Sequence, residues 1–276
     1  MTAIALFQFH EQFELCRPRI ALLHRLNPGL KIFGLYGGDP ANIGAARSLE
    51  TSGIEHVYHD ASKPPAWNKK NTDLAVAAWF QAVGQSIPFD RAHVIQWDLL
   101  YFVPLHQAYA RIAGDDGVGL TGLVPLAEIA HIWNWTVHEP FSSESQQFLT
   151  LAKEQLGYRG SPYACVGPGY SLPRKFLELY SHSGAGDIGH DELRLPLFAQ
   201  LFGFRLIDTR FYTGWTEPEG ESLFNADAQE IDVHRIKSEL AKPNGRRVFH
   251  PCRESFNGPL IEQLLSLVTL AGPDLS

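Results

Sequence analysis

The first hundred residues alternate short apolar runs with segments of helical periodicity, and this alternation constrains the fold more than any other feature of the chain. "AIALFQF" (3–9), "LKIFGLYGG" (30–38), "IEHVYHD" (54–60) and "AHVIQWDLLYF" (92–102) read as strands. Between them, "ELCRPRIALLHRLN", "ANIGAARSLETSG" and "NTDLAVAAWFQAVG" place apolar residues at helical spacing, the last with Asn71 as a predicted cap. Strands separated by helices of this length pair in parallel, because each crossover returns the chain to the same end of the sheet. The expected fold is a Rossmann-like α/β domain: a mostly parallel central sheet with helices on both faces. Ligands in such sheets bind at the carboxyl ends of the strands, near the point where strand order reverses.

After residue 110 the pattern loosens. "VGLTGLVPL" reads as a strand and "SSESQQFLTLAKEQLG" as a helix capped by one of its leading serines. "YACVGPGYSLPRKFLELYSH" reads as a strand, a Gly-Pro turn, and a helix begun near Pro173. "GHDELRLPLFAQLFG" is a helix ending at Gly203, followed by the strand "FRLIDTRFY", with loops at 214–228 and 241–247. No linker, repeat or low-complexity tract divides the chain. Residues 1–276 are expected to form one domain, with 1–110 a nucleotide-binding half and 111–276 an acceptor and catalytic half.

Charge and cysteine usage narrow the function. A net charge of -7, with basic runs no longer than "NKK" and "NGRR", excludes a phosphate-tracking nucleic-acid binder. No apolar run is long enough to span a bilayer, and "MTAIALFQFHEQFELC" lacks a basic leader region. Three widely spaced cysteines point to a reducing compartment, so the expected location is the cytoplasm. Two G-x-G-x-x-G matches, Gly117/Gly119/Gly122 and Gly184/Gly186/Gly189, lack the strand-then-helix context of a dinucleotide site. The second suits a glycine loop in front of a functional helix.

Three places carry candidate chemistry. Asp98 stands where the fourth strand should end, a carboxylate inside an apolar run; it either caps the next turn or pairs with an arginine, or it holds a metal-bound phosphate. Trp97, alternating to the other side, points to the core. "GHDELRLP" sets Asp191 and Glu192 at a helix start, where the helix dipole favours acids and a general base would also suit. "RVFHPCR" places His250 after a short strand, a structural histidine or a metal ligand with Asp98 as partner.

In this order, "QWD", "GPGYSLPRKF…GHDELRLPLFAQLFGFRL" and "VFHPCR", together with the βα start, resemble glycosyltransferases of the GT-A fold, the nucleotide-diphospho-sugar transferases. The resemblance implies a single GT-A-like domain and maps the family's Asp-x-Asp motif onto Gln96-Trp97-Asp98, keeping only the last acid. It makes Asp98 and His250 ligands of Mn²⁺ or Mg²⁺, and Asp191, with Glu192 close behind, the base. It places the nucleotide against Phe9 and His10, Tyr36 to Asp39, Lys69 and Trp97. The implied donor is a nucleotide-diphospho-sugar, most simply a UDP-sugar, and the acceptor a small molecule or glycan whose hydroxyl attacks with inversion. The alternatives are a nucleotidyltransferase, against which the glycine-free "QFHEQFELCRPR" after the first strand argues, and a catalytically inactive sugar-nucleotide binder.

Overall fold

Alternation of side chains along each strand fills both faces of the sheet. In β1 (Ala3–Phe9), Leu6 enters one buried cluster while Ala5, Phe7 and Phe9 enter another on the opposite face. The computed structural model describes residues 2–114, 116–226 and 229–271. β2 (Lys31–Tyr36), β3 (Ile54–Tyr58) and β4 (Arg91–Gln96) follow, with β5 (Leu100–Tyr101), β6 (Val118–Pro125), β7 (Tyr163–Pro173), β8 (Leu206–Asp208) and β9 (Val248–Phe249) after them. The main sheet has seven strands in the order β3-β2-β1-β4-β7-β6-β8. β1 pairs in parallel with β2 and β4, β2 with β3, and β6 with β8. Only β7 runs against its neighbours, β4 and β6.

The expected α/β class and mostly parallel sheet are therefore present, in one continuous sheet that joins the two halves of the chain. Strand order reverses at β1, whose neighbours are β2 on one side and β4 on the other. The carboxyl ends of these strands face a common cleft.

Several local expectations differ. The Gly-Pro turn is absent: β7 runs through Gly167 and Pro168 as a bent strand, with Gly169 at φ 88° and register shifts against β6. "LLYF" leaves the main sheet, and its Leu100–Tyr101 forms a separate two-stranded sheet with β9. The helix of 142–157 begins earlier, at Phe141 after Pro140, so no serine side chain caps it. Asn71 precedes the helix Thr72–Ala82 without a capping hydrogen bond; its Oδ1 accepts from Arg194 instead. "ANIGAARSLETSG" is one short α-helix, Ile43–Arg47, between two 3₁₀ turns, and stops at Gly53 (φ 103°) as expected. The end of the loop at 214–228 lies outside the described residues.

A third buried cluster, distinct from the two sheet faces, surrounds the small sheet. It gathers Leu22 of the helix Phe13–Leu26, Phe102, Phe249, and Ile261 and Leu264 of the helix Gly258–Ala271. This cluster anchors the segment carrying His250 beside the end of β4. Cys16, Cys165 and Cys252 are buried and unpaired, and no described helix is long and apolar enough to cross a membrane.

Candidate active site

A cleft of about 830 Å³ opens at the carboxyl ends of β1, β2 and β4. Its walls include Phe9, His10, Asp39, Lys69, Trp97, Asp98, Asp191, Glu192 and His250. Of the residues singled out from the sequence, Tyr36 alone does not line it. Tyr36 is buried, and its hydroxyl donates to the Asp39 carbonyl at 2.9 Å, so its role is to hold the β2 turn. Phe9 borders the cleft, but its ring packs on Phe13 and Tyr36 in the core.

Asp98 occupies the turn just beyond β4 and is 4% exposed. Its backbone carbonyl accepts from the Cys252 amide at 2.8 Å, which ties the C-terminal loop to the strand end. Its Oδ1 lies 3.4 Å from His250 Nε2 and its Oδ2 3.3 Å from Arg253 Nε. Burial alone would push the Asp98 carboxyl up; His250 and Arg253 outweigh it and hold the group below the usual carboxylate range. Pairing with an arginine, one of the three readings open in the sequence, is thus present. The metal reading rests on His250. Its Nδ1 donates to the Asn225 carbonyl at 2.7 Å, which leaves Nε2 facing the carboxylate.

Behind Asp98, Arg19 is 3% exposed and lies 5.5 Å from the centroid of the Trp97 ring. Its Nη2 donates to the carbonyls of Cys252 and Glu254. Trp97 also meets His10 in an edge contact at 5.8 Å. Trp97 is thus a buried wall of the cleft, in contact with Arg19 and His10.

The second acidic pair is built differently. Asp191 and Glu192 open the helix Asp191–Leu201 and are 2% and 7% exposed, too deep for dipole complementarity alone. Glu192 is held at both oxygens: Oε1 accepts from the Gly167 amide at 2.6 Å and Oε2 from Trp135 Nε1 at 2.7 Å. The bend in β7 therefore serves to deliver one backbone N–H to this carboxylate. A Cβ at Gly167 would sit 3.2 Å from Glu192 Oε1. Burial raises the Glu192 pKa against the opposing field of His190. His190 stacks on Trp135 at 3.8 Å, and its Nδ1 lies 2.8 Å from Asp191 Oδ1 and 3.3 Å from the Glu192 amide. Burial disfavours the imidazolium, but Asp191 and Glu192 outweigh burial and raise the His190 pKa. Asp191 makes no other polar side-chain contact among the described residues, so its carboxylate is the freer of the two.

An internal ion pair sets this helix start against the Lys69 side of the cleft. Arg194, with no exposed surface, bonds both Asp73 oxygens, through Nε at 2.8 Å and Nη2 at 2.6 Å. It also donates to the Gly189 carbonyl at 2.9 Å and to Asn71 Oδ1 at 2.8 Å. The Asp191 amide then donates to the Lys70 carbonyl at 3.2 Å, so the segment of Lys69 and that of Asp191 are joined directly. Trp67 Nε1 donates to Asp187 in the glycine loop at 3.0 Å, adding a second tie.

On the opposite flank Asp39 caps the turn Pro40–Asn42 by accepting the Ala41 amide at 2.9 Å, the turn role open to it in the sequence, and still borders the cleft. Gly38 is required by close approach: a Cβ there would stand 2.1 Å from the His10 carbonyl oxygen. Lys69 is exposed, and its ammonium makes no hydrogen bond or ion pair among the described residues. The residues the sequence did not single out are Arg253, Trp135 as a carboxylate holder, Gly167 and Arg194. "VFHPCR" did contain Arg253, three positions after His250, but nothing local sets its side chain on Asp98.

A divalent cation can be tested against these donors. An Asp98 oxygen and His250 Nε2, 3.4 Å apart, could face one cation between them; the carboxylate suits Mn²⁺ or Mg²⁺, and the imidazole suits Mg²⁺ less well. Among the described residues no group of three or more His, Cys, Asp or Glu side chains stands around one point. Among the described residues the protein would therefore supply at most Asp98 and His250, and substrate phosphates and water would have to complete the shell.

No family model matches the chain, and no curated protein matches it. Solved structures similar to it include mouse xyloside xylosyltransferase 1 in its apo form, at 12% identity over 75% of this chain and 86% of that one, with TM-score 0.38. The apo WbbM bifunctional glycosyltransferase matches at 9% identity over 97% of this chain and 50% of that one, TM-score 0.47. The galactosyltransferase LgtC, in complex with donor and acceptor sugar analogues, matches at 13% identity over 96% and 95%, TM-score 0.43. Similarities of this size carry no functional argument, which must come from the cleft.

Proposed function

We propose that the chain is a glycosyltransferase that moves a sugar from a nucleotide-diphosphate donor, most simply UDP-linked, to an acceptor hydroxyl. One observation carries the proposal: a single cleft at the strand ends is lined by a carboxylate–imidazole pair, Asp98 with His250, and by a buried acidic pair, Asp191 with Glu192. The first suits a leaving diphosphate and the second a proton acceptor. Together they are the parts that breaking an anomeric C–O bond and activating a hydroxyl require.

In this scheme His10, Asp39 and Trp97 border the nucleotide, and Lys69 and Arg253 face its phosphates with free N–H groups. A divalent cation on Asp98 and His250 would neutralise charge on the departing diphosphate. Asp191 takes the proton of the attacking hydroxyl. Glu192 is already committed to Gly167 and Trp135, and it shapes the floor on which the acceptor rests. A base on the face opposite the leaving group gives inversion at the anomeric carbon. The acceptor is a small molecule or a glycan.

Thermal shift against nucleotide sugars with and without Mn²⁺ tests the proposal. A UDP-sugar with Mn²⁺ should raise the melting temperature, and Asp98→Asn should lose the metal-dependent part. No shift with any nucleotide sugar, in either condition, would defeat it.

A further inference from the structure

Asp98 is 4% exposed, and the position two residues before it holds Gln96 rather than a second acid, so its charge must be balanced by whatever cation reaches it. In this structure one such group is Arg253. The contact is a single one, Nε to Oδ2 at 3.3 Å, at the long end of hydrogen-bond geometry. Arg253 borders the cleft, and its planar fork of Nη1 and Nη2, the part of a guanidinium that grips phosphate at two points, makes no hydrogen bond among the described residues. The side chain is 40% exposed. Its backbone is fixed: the Arg253 amide donates to Glu230 Oε1 at 2.6 Å, and Arg19 holds the carbonyls on either side. The head of Arg253 can therefore turn while the loop stays in place.

We propose that Arg253 is an exchangeable guard on Asp98: it occupies the carboxylate when no diphosphate is bound, and a diphosphate draws its guanidinium away and opens Asp98 to a divalent cation. The inference rests on the diphosphate and cation roles given to this cleft above. A guanidinium on Oδ2 takes up one carboxylate oxygen and repels an incoming divalent ion, so a cation alone binds weakly. Diphosphate offers the fork two oxygens at once, a better partner than the one Asp98 oxygen it leaves. Diphosphate and cation then strengthen each other's binding, and by reciprocity the coupling acts equally in both directions.

The test measures two separate equilibria on wild type, Arg253→Gln and Asp98→Asn, each first shown to be folded by circular dichroism. Mn²⁺ alone is titrated by electron paramagnetic resonance, and UDP alone by calorimetry in chelator. Arg253→Gln should bind Mn²⁺ about fivefold or more tightly than wild type, and UDP without metal about fivefold or more weakly. Asp98→Asn should lose Mn²⁺ binding. Unchanged or weaker Mn²⁺ binding in Arg253→Gln overturns the guard, and so does unchanged UDP affinity. If Asp98→Asn binds Mn²⁺ as wild type does, or if no protein binds it, the cation assignment fails and the guard with it. If wild type binds no UDP in chelator or with Mn²⁺, the donor assignment itself is wrong.

Discussion

Asp191 and Glu192 are neighbours in sequence and both buried, yet their surroundings assign them different work. Glu192 accepts two N–H donors, one on each oxygen, while Asp191 faces only the His190 ring nitrogen. Each Glu192 oxygen already accepts one N–H, which leaves less room for an attacking hydroxyl, whereas Asp191 carries no N–H from backbone amide or tryptophan. Asp191→Asn should therefore lower turnover about 10²- to 10⁴-fold with donor affinity nearly unchanged, read from kcat and donor KM. Glu192→Gln turns its amide NH₂ toward one of the two donors. It should cost about 1–3 kcal/mol of unfolding free energy, measured in urea, along with any activity loss. Full turnover in Asp191→Asn would remove Asp191 as base.

The elements that present these side chains are locked by one buried pair. Arg194 and Asp73 are 121 residues apart and join the helix Asp191–Leu201 to the helix Thr72–Ala82. Tyr180 donates to the same Asp73 carboxylate, bringing in the helix Arg174–Tyr180. Removing one partner would leave an uncompensated charge in the core. Arg194→Met should destabilise the protein by about 3–5 kcal/mol in urea unfolding, and a paired Asp73→Leu, Arg194→Met variant should recover part of that loss. No recovery in the double variant would mean that the Arg194 bonds to the Gly189 carbonyl and Asn71 Oδ1 carry the effect instead of the ion pair. The same scale explains where local reading departed from the fold. "YACVGPGY" has the residues of a turn, but pairing with both β4 and β6 holds it as a strand bent toward Glu192.

For the molecule as a whole, the two charged clusters bound the pH range of greatest stability. Asp98 has a depressed pKa, so its stabilising contribution is present above about 3.8 and is lost as pH falls through the lower folded value. His190 has a raised pKa, so its contribution is fully present below 6.5 and is lost as pH rises through the folded value above that. Asparagine at position 190 keeps a capping oxygen but cannot titrate. The melting temperature of wild type should exceed that of His190→Asn most at about pH 5.5–6, with the gap narrowing toward pH 9. A gap independent of pH would show that His190 acts only through stacking on Trp135 and capping.

Alternation, strand ends and the position of Asp98 just past β4 are properties of short windows, and the chain's own periodicity determined them. Residue type did the same for the candidates: acids at a helix start, a histidine after a short strand, glycines where β2 turns. What only the tertiary structure decided is which charges meet. Asp98 and Arg253 are 155 residues apart, and no local period links them. They meet because the third core cluster docks the C-terminal helix and loop against the end of β4, and because buried Arg19 clamps that loop. In the same way Glu192 is distinguished from Asp191 only by the bend of β7 and the place of Trp135. The sheet put a carboxylate at the end of a central strand, and packing between distant segments supplied the charged and N–H groups around it.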